Sequence, residues 1–212
     1  MLRPMVRLYR WAFNKKYEEA FDSSLLSAIR LGDTIWDIGA HVGVYTVKFA
    51  EAVGPQGQVV AFEPSPQSVE ILRKNVSRFA NVRVENVALS DSEGDADFFI
   101  EPHGVSAVDG LSKASATFAA RKVTVQVRRG DCYLHMPPSV IKLDVEGLEP
   151  EVIAGLKQIL KNEMLRAVFV EVHFLTLAKR GRRMGPTELT IALRAAGFRT
   201  RWTDPSHLAA TR

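Results

Sequence analysis

Residues 36–50 read WDIGAHVGVYTVKFA, and the fold is decided there. Asp37 lies at the end of an apolar run, TIWDIG (34–39), Gly39 and Gly43 follow, and a helix-period stretch runs from about Val42 to Ala52. A strand that turns through glycines into a helix presents backbone N–H groups and the positive end of the helix dipole to a ligand. Sterics alone also favour glycine in such a turn, so the next strand matters. It is QVVAFE (58–63), and its last residue, Glu63, lies 20 residues past Gly43. At that distance a carboxylate meets the two hydroxyls of a ribose held against the first turn. The two segments together predict a nucleoside site.

Outward from this centre, apolar β-branched runs alternate with helix-period stretches, the pattern of a mostly parallel sheet covered on both faces. Tyr17, Phe21, Leu25, Ala28 and Ile29 are spaced as one face of a helix, so residues 1–31 are read as an N-terminal helical extension and 32–212 as one α/β domain. Ser65 caps a helix with Pro66 in its first position. VRVENVAL (82–89) reads as one strand, and DADFFIE (95–101) with VTVQVRR (123–129) as an antiparallel insertion at the sheet edge, joined by a mobile polar loop over 102–120. SVIKLDV (139–145), a helix from about Glu149 to Lys161, AVFVEVH (167–173), a helix from Pro186 to Gly197 and a last strand, FRTRW (198–202), complete the alternation.

Composition supports a soluble globular chain: 212 residues, 46% hydrophobic and 25% charged. Its single cysteine, Cys132, cannot close an internal disulfide and is read as a small buried hydrophobe. No apolar stretch is long enough to span a bilayer, and a cytoplasmic location is expected. Net charge is +4, too mild an excess to indicate nucleic-acid binding by itself.

The cofactor can be narrowed further. A dinucleotide fingerprint would read GxGxxG, whereas Gly39 to Gly43 reads GxxxG with His41 inside it, and no GxxxxGK[ST] phosphate loop occurs. Asp37 suits a cofactor with a positively charged amino-acid end, as S-adenosylmethionine has. The segments DIGAHVGVYT, VVAFEPSP, NVALSDSEG, VIKLDVEGLEPEVIAG and VEVH resemble the successive signatures of the FkbM-type S-adenosylmethionine-dependent methyltransferases, from Gly32 to His173. The resemblance implies a class I, Rossmann-like methyltransferase fold and methyl transfer, mostly to hydroxyl oxygen, on sugars, lipid-linked glycans or natural products. It places Asp37, Gly39, His41 and Gly43 about the methionine end of S-adenosylmethionine, Glu63 on its ribose, and the adenine near Asn86 to Ala88. Where the family usually has GAN, this chain has Gly39-Ala40-His41.

Catalytic candidates come from strand ends. Alternation sends Lys142, Asp144 and Glu146 to one side of IKLDVEG, and Glu171 and His173 share a side of VEVH. Ionisable groups at a buried edge are paired or functional. For a hydroxyl acceptor one of them must take the proton. His173 ranks first, having the free pKa nearest working pH, with Asp144 or Glu146 as alternatives and Lys142 holding a carboxylate charged. A magnesium site at Asp144 and Glu171 is a further alternative, although no metal is assigned. The basic run Lys179, Arg180, Arg182 and Arg183 suggests a lid hinged at Gly181 and Gly185 that attracts an anionic acceptor, or else nucleic acid. Nucleic acid is the less favoured partner, because LDVE stands where amino methyltransferases carry their [DNS]PP[YF] tetrad and Cys132 does not follow a proline. Met5, Leu8, Tyr9, Ala12 and Phe13, beside Arg7, Arg10, Lys15 and Lys16, share a helical face that packs on the domain itself or, as the alternative, makes peripheral membrane contact.

Overall fold

A computed structural model describes residues 20–100 and 121–212. The apolar and basic face at 5–16 and the loop over 102–120 lie outside the described residues. Helix α1 covers residues 20–27. The elements that follow are β1 (Thr34–Ile38), α2 (Val44–Val53), β2 (Gln58–Phe62), α3 (Pro66–Val76), β3 (Val82–Glu85), β4 (Ala88–Ser90), β5 (Gly94–Ile100) and β6 (Arg121–Arg129). Then come β7 (Val140–Leu143), α4 (Glu149–Ala154), β8 (Ala167–Glu171), α5 (Phe174–Lys179), α6 (Gly185–Ala195), β9 (Arg199–Trp202) and β10 (His207–Thr211).

The main sheet has the order β3-β2-β1-β7-β8-β10-β9. Strand β10 runs antiparallel to both neighbours and the remaining pairs are parallel. Connections reverse direction between β1 and β7, which puts the ligand crevice outside the carboxyl ends of those two strands. Side chains alternate between two cores. Ile35, Val59, Val140 and Phe169 pack with Phe21 and Leu25 of α1 and Phe49 and Val53 of α2. Trp36, Ile38, Phe62, Leu143 and Val170 face the other way, onto Val152 and Ile153 of α4 and Leu189 and Leu193 of α6. This is the expected doubly covered, mostly parallel sheet of a class I methyltransferase. Among the described residues no helix is long and apolar enough to cross a membrane.

Five details differ from the sequence reading. The strand expected over 82–89 breaks at Asn86. Its side-chain amide donates to the carbonyls of Glu63 and Pro64 at 2.9 and 3.0 Å, which ends β3 beside β2, and the chain then leaves the main sheet. Beyond the break, β4 pairs parallel with β6, which pairs antiparallel with β5, so the insertion forms its own three-stranded sheet instead of extending the main one. The helix expected over 149–161 stops at Ala154. A separate 3₁₀ turn at Ile159–Lys161 follows, because the Asp131 carboxylate accepts the backbone N–H groups of Gln158 and Ile159 and starts a new turn there. The chain also ends in a strand that periodicity missed, β10, and Cys132 is exposed, its Sγ 3.1 Å from Glu93 Oε1, not buried.

Candidate active site

The turn from β1 into α2 is unusually curled: Gly39, His41 and Gly43 all have positive φ, at 81°, 51° and 88°. Glycine is required at 39 for a second reason. A Cβ there would lie 1.7 Å from the Asp144 carbonyl oxygen, so the turn rests directly on the end of the neighbouring strand β7. At Gly43, the N-cap of α2, a Cβ would meet Leu72 Cδ1 of α3 at 2.4 Å.

Glu63, just past β2, belongs to the same turn. Its Oε2 accepts the His41 N–H and its Oε1 the Ser65 N–H, both at 2.8 Å, and the residue is buried. A carboxylate has about four acceptor positions, and backbone donors take two of these. Asn86 braces this carboxylate's own loop, through the two carbonyls named above, so its amide is committed to positioning. Ala88 packs in the apolar core of the small sheet with Phe98, Val125 and Val127. Asp37 is fully enclosed. Thr46 Oγ1 donates to its Oδ2 at 2.6 Å, and Lys142 Nζ lies 3.7 Å from its Oδ1. Its Oδ1 has no hydrogen-bond partner among the described residues. Burial pushes the Asp37 carboxyl above its usual range, more than Lys142 and Thr46 bring it down.

Across β1, the ends of β7 and β8 gather the predicted ionisable groups. Lys142, itself buried, sits 3.2 Å from Asp144 Oδ2 and donates to the Gly39 carbonyl at 3.4 Å. Burial disfavours the ammonium, but Asp144 and Asp37 outweigh this and raise its pKa. His173 is ringed by carboxylates: its Nε2 is 3.3 Å from Glu146, 3.7 Å from Asp144 and 4.0 Å from Glu171. Its Nδ1 lies 2.8 Å from Oε1 of Glu149, a fully buried residue that also accepts the Gly147 N–H. Glu146 reaches the histidine from a left-handed backbone conformation, φ 53°, which costs energy for a residue with a Cβ. Glu171 in turn lies 3.6 Å from Nε2 of His207, whose Nδ1 is held by Asp204 at 2.8 Å.

These contacts set the protonation of the candidate bases. Burial alone would favour neutral His173, yet Glu146, Glu149 and Asp144 outweigh it and raise the imidazole to about 11, so it is an imidazolium at neutral pH. Asp144 moves the other way: burial opposes its ionisation, but Lys142 and His173 hold its carboxyl below the usual range. Glu146 is raised by burial against the pull of His173. A group with a raised carboxyl pKa is the better proton acceptor. The same atoms suit a cation, because Asp144, Glu146 and His173 each offer a donor atom within 4.8 Å of the others. Glu171, the partner expected for Asp144 in a metal site, is outside that set.

The basic run is more committed than a free lid would be. Arg180 donates to the Gly147 carbonyl and pairs with Glu151 at 2.8 Å, while Arg182 bridges Glu151 at 3.2 Å and Glu188 at 2.7 Å. Gly185 is buried at the start of α6, so of the two proposed hinges only Gly181 (φ 75°) sits in an exposed turn. Lys179 and Arg183 are exposed.

The FkbM methyltransferase domain pattern matches residues 37–200, a span that contains the glycine turn, Glu63, and His173 with the four carboxylates around it. The chain belongs to this family. Among relatives of this FkbM domain is the hexuronic acid methyltransferase AglP of Haloferax volcanii, 31% identical over 70% of the chain. Another is the 2-O-methyltransferase NoeI of Sinorhizobium fredii, 28% identical over 59%. The chain spans 59% of AglP and 58% of NoeI. The crystal structure of methyltransferase FkbM from Methylobacillus flagellatus KT superposes with a TM-score of 0.58 at 14% identity, over 85% of this chain and 43% of that one, and agrees in fold.

Sequence reasoning about this FkbM domain missed Glu149 as part of the site, taking it only as the start of a helix. A signal was present: Glu149 precedes Pro150 in the first turn of α4, where a side chain from the strand-end loop can fold back into the crevice. His207 carried no signal, because only strand pairing brings β10 beside Glu171.

Proposed function

We propose that this FkbM domain transfers a methyl group from S-adenosylmethionine to a hydroxyl of a sugar. One observation carries the reading: Glu63 accepts a backbone N–H of the very turn that packs, through Gly39, on the carbonyl of Asp144. A carboxylate suited to ribose hydroxyls and a cluster suited to moving a proton are thereby joined through one close backbone contact. The residues fit the cofactor: Glu63 would receive the ribose, the turn 39–43 would border the methionine portion, and Lys142 with Asp144 would meet its charged end. When bound, the cofactor supplies an electrophilic methyl group on a sulfonium.

The chain's own work is to orient the acceptor and take its proton. Glu146, raised by burial, accepts the hydroxyl proton. His173, charged and fixed by Glu149, keeps the Glu146 carboxylate oriented, and Lys142 keeps Asp144 ionised beside it. Relatives named for hexuronic acid and 2-O-methylation support a sugar as the acceptor class. A second reading, a divalent cation among Asp144, Glu146 and His173, is favoured by their spacing.

The test has two parts. Calorimetry with S-adenosylhomocysteine should show binding that Glu63→Ala weakens. Transfer of labelled methyl to hexose and hexuronic acid glycosides should then be lost in Glu146→Gln and survive chelator. Labelling of bulk RNA in place of the glycosides would overturn the sugar reading, and loss of turnover with chelator alone would establish the cation.

A further inference from the structure

The side chains of His207 and Asp204 are withdrawn from water, yet the proton transfer described above uses neither. The turn between β9 and β10 builds them into one unit. Asp204 Oδ1 accepts the backbone N–H groups of Ser206 and His207, both at 2.9 Å, and Oδ2 lies 2.8 Å from Nδ1 of His207. The Ser206 carbonyl accepts the Val172 N–H at 2.8 Å, which fastens the turn to the end of β8. On one flat side the His207 ring lies against Phe21 of α1, with centroids 4.1 Å apart and planes 31° from parallel. Fixed by these contacts, Nε2 faces Glu171, the residue in register with His207 across β8 and β10, at 3.6 Å from Oε2. Burial disfavours a charged ring there, but Glu171 and Asp204 outweigh it and raise the imidazole pKa.

The geometry points to Asp204 and His207 as a positioning pair that aims the Glu171 carboxylate at the acceptor, and to a vicinal diol of the sugar as the group the site takes. The inference rests on the sugar-methyltransferase reading and deepens it. Glu171 ends β8 and is 38% exposed at its side chain, against 26% for Asp144, 18% for Glu146 and 17% for His173, so it is the member of the cluster most open to a ligand. Its Oε1 is 4.0 Å from Nε2 of His173, and Glu146 Oε2 is 3.3 Å from that same nitrogen. Two carboxylates, one beyond β7 and one on β8, thus flank a single ring atom. At 3.6 and 4.0 Å neither histidine fills the hydrogen-bonding positions of Glu171, which keeps acceptor sites for a hydroxyl. Glu146 takes the proton of the hydroxyl that is methylated, and Glu171 accepts a hydrogen bond from the hydroxyl on the next carbon. A lone hydroxyl would engage only one of the two carboxylates. The His207 ring, facing Glu171, keeps that carboxylate ionised, so one carboxylate gains a proton in the reaction while the other binds.

The test is a cycle that pairs protein variants with deoxygenated sugars. Methyl β-D-glucopyranoside, methyl β-D-galactopyranoside and methyl β-D-glucuronoside are offered with labelled S-adenosylmethionine, and NMR of the product locates the methylated oxygen. Analogues of the methylated glycoside lacking the hydroxyl at each neighbouring carbon in turn are then compared with it. One analogue should lose about tenfold in kcat/KM. Glu171→Gln, a one-atom change on an open side chain, should lose about tenfold on the intact glycoside, the step from a charged to a neutral acceptor, and nothing further on that analogue. His207→Leu should show the same sugar-selective loss and add nothing to Glu171→Gln in the double variant, while His207→Gln, whose amide can still donate to Glu171, should recover part of it. Asp204→Asn makes the comparison without touching the contact with Phe21. A residue needed only for packing would penalise intact and deoxygenated sugars alike. The assignment is overturned if the Glu171→Gln loss is equal on both sugars, if His207→Leu and Asp204→Asn act equally on both, or if the methylated oxygen has no free hydroxyl on an adjacent carbon. Transfer to none of the three glycosides would count against the sugar reading and the positioning pair built on it, whereas transfer without the selective loss counts against the pair alone.

Discussion

Nδ1 of His173 and Oε1 of Glu149 lie 2.8 Å apart, and Glu149 is completely withdrawn from solvent. A buried carboxylate on one ring nitrogen fixes the orientation of the imidazole and directs Nε2 at Glu146 and Asp144. Replacing Glu149 by Gln keeps the volume but removes the charge. We expect kcat to fall by roughly 10- to 100-fold, the usual effect of losing such an orienting partner, with affinity for S-adenosylhomocysteine unchanged. A variant with full kcat would show that the pair only fills space.

The raised imidazole pKa, about 11, gives a prediction in pH. The folded protein binds a proton at His173 that the unfolded chain releases near 6.5. Its contribution to stability is therefore complete below 6.5 and is lost as pH rises through the folded pKa. Thermal unfolding from pH 6 to 10 should show declining stability, and His173→Gln should flatten that decline. Histidine carbon shifts in NMR should report an imidazolium at pH 8; a neutral ring at that pH would refute the assignment. Turnover should behave differently, rising with pH along an acid limb centred above 4.5, the ordinary glutamate value, as Glu146 ionises.

Glu63→Ala should weaken S-adenosylhomocysteine by on the order of 1.5–3 kcal/mol, the range for hydrogen bonds to a charged group. Because Glu63 also ties down the His41 and Ser65 amides, Glu63→Gln is the informative companion. Gln retains one acceptor oxygen, so the loss should be smaller and the melting temperature nearer that of the parent. Unchanged affinity in both, measured by calorimetry, would remove Glu63 from the cofactor site.

Trp36 is fully buried at the centre of the sheet, edge-on to Phe62 with centroids 5.2 Å apart, and its indole donates to the Met136 carbonyl at 3.0 Å. Trp36→Ala leaves a large cavity and an unpaired carbonyl, and should cost about 3–5 kcal/mol in chemical denaturation.

In the basic run the four side chains should separate into two behaviours. Lys179→Gln and Arg183→Gln, at exposed positions, should raise KM for an anionic acceptor and reduce its sensitivity to salt. Arg180→Gln releases the Gly147 carbonyl and Glu151 instead, and should lower kcat by loosening the turn that presents Glu146. Identical kinetics for all three would leave the run as solvated surface.

The parts legible in the sequence are those set by short-range rules. Gly39, Gly43 and Glu63 sit at spacings fixed by one strand–helix–strand unit, β1-α2-β2, and alternation along one strand places Lys142 beside Asp144. Tertiary contacts decided the rest. Asn86 ends a strand because its amide finds carbonyls 22 and 23 residues earlier. Strand β10 holds small apolar residues, Ala209 and Ala210, with no strong period, and its pairing with β8 and β9 defines it. The charge on His173 required the count of carboxylates around it, which sequence spacing does not contain.

Because a Cβ at residue 39 would lie 1.7 Å from the Asp144 carbonyl oxygen, the turn after β1 and the end of β7 are fitted together as one block. Exchange of parts between relatives should respect that block. A hybrid that takes β1 from one protein and β7 from another has to reproduce a fit that tolerates no added carbon atom. Junctions placed after His173 leave it whole together with the carboxylates around that ring, so exchange of the segment beyond should not disturb the contact between β1 and β7.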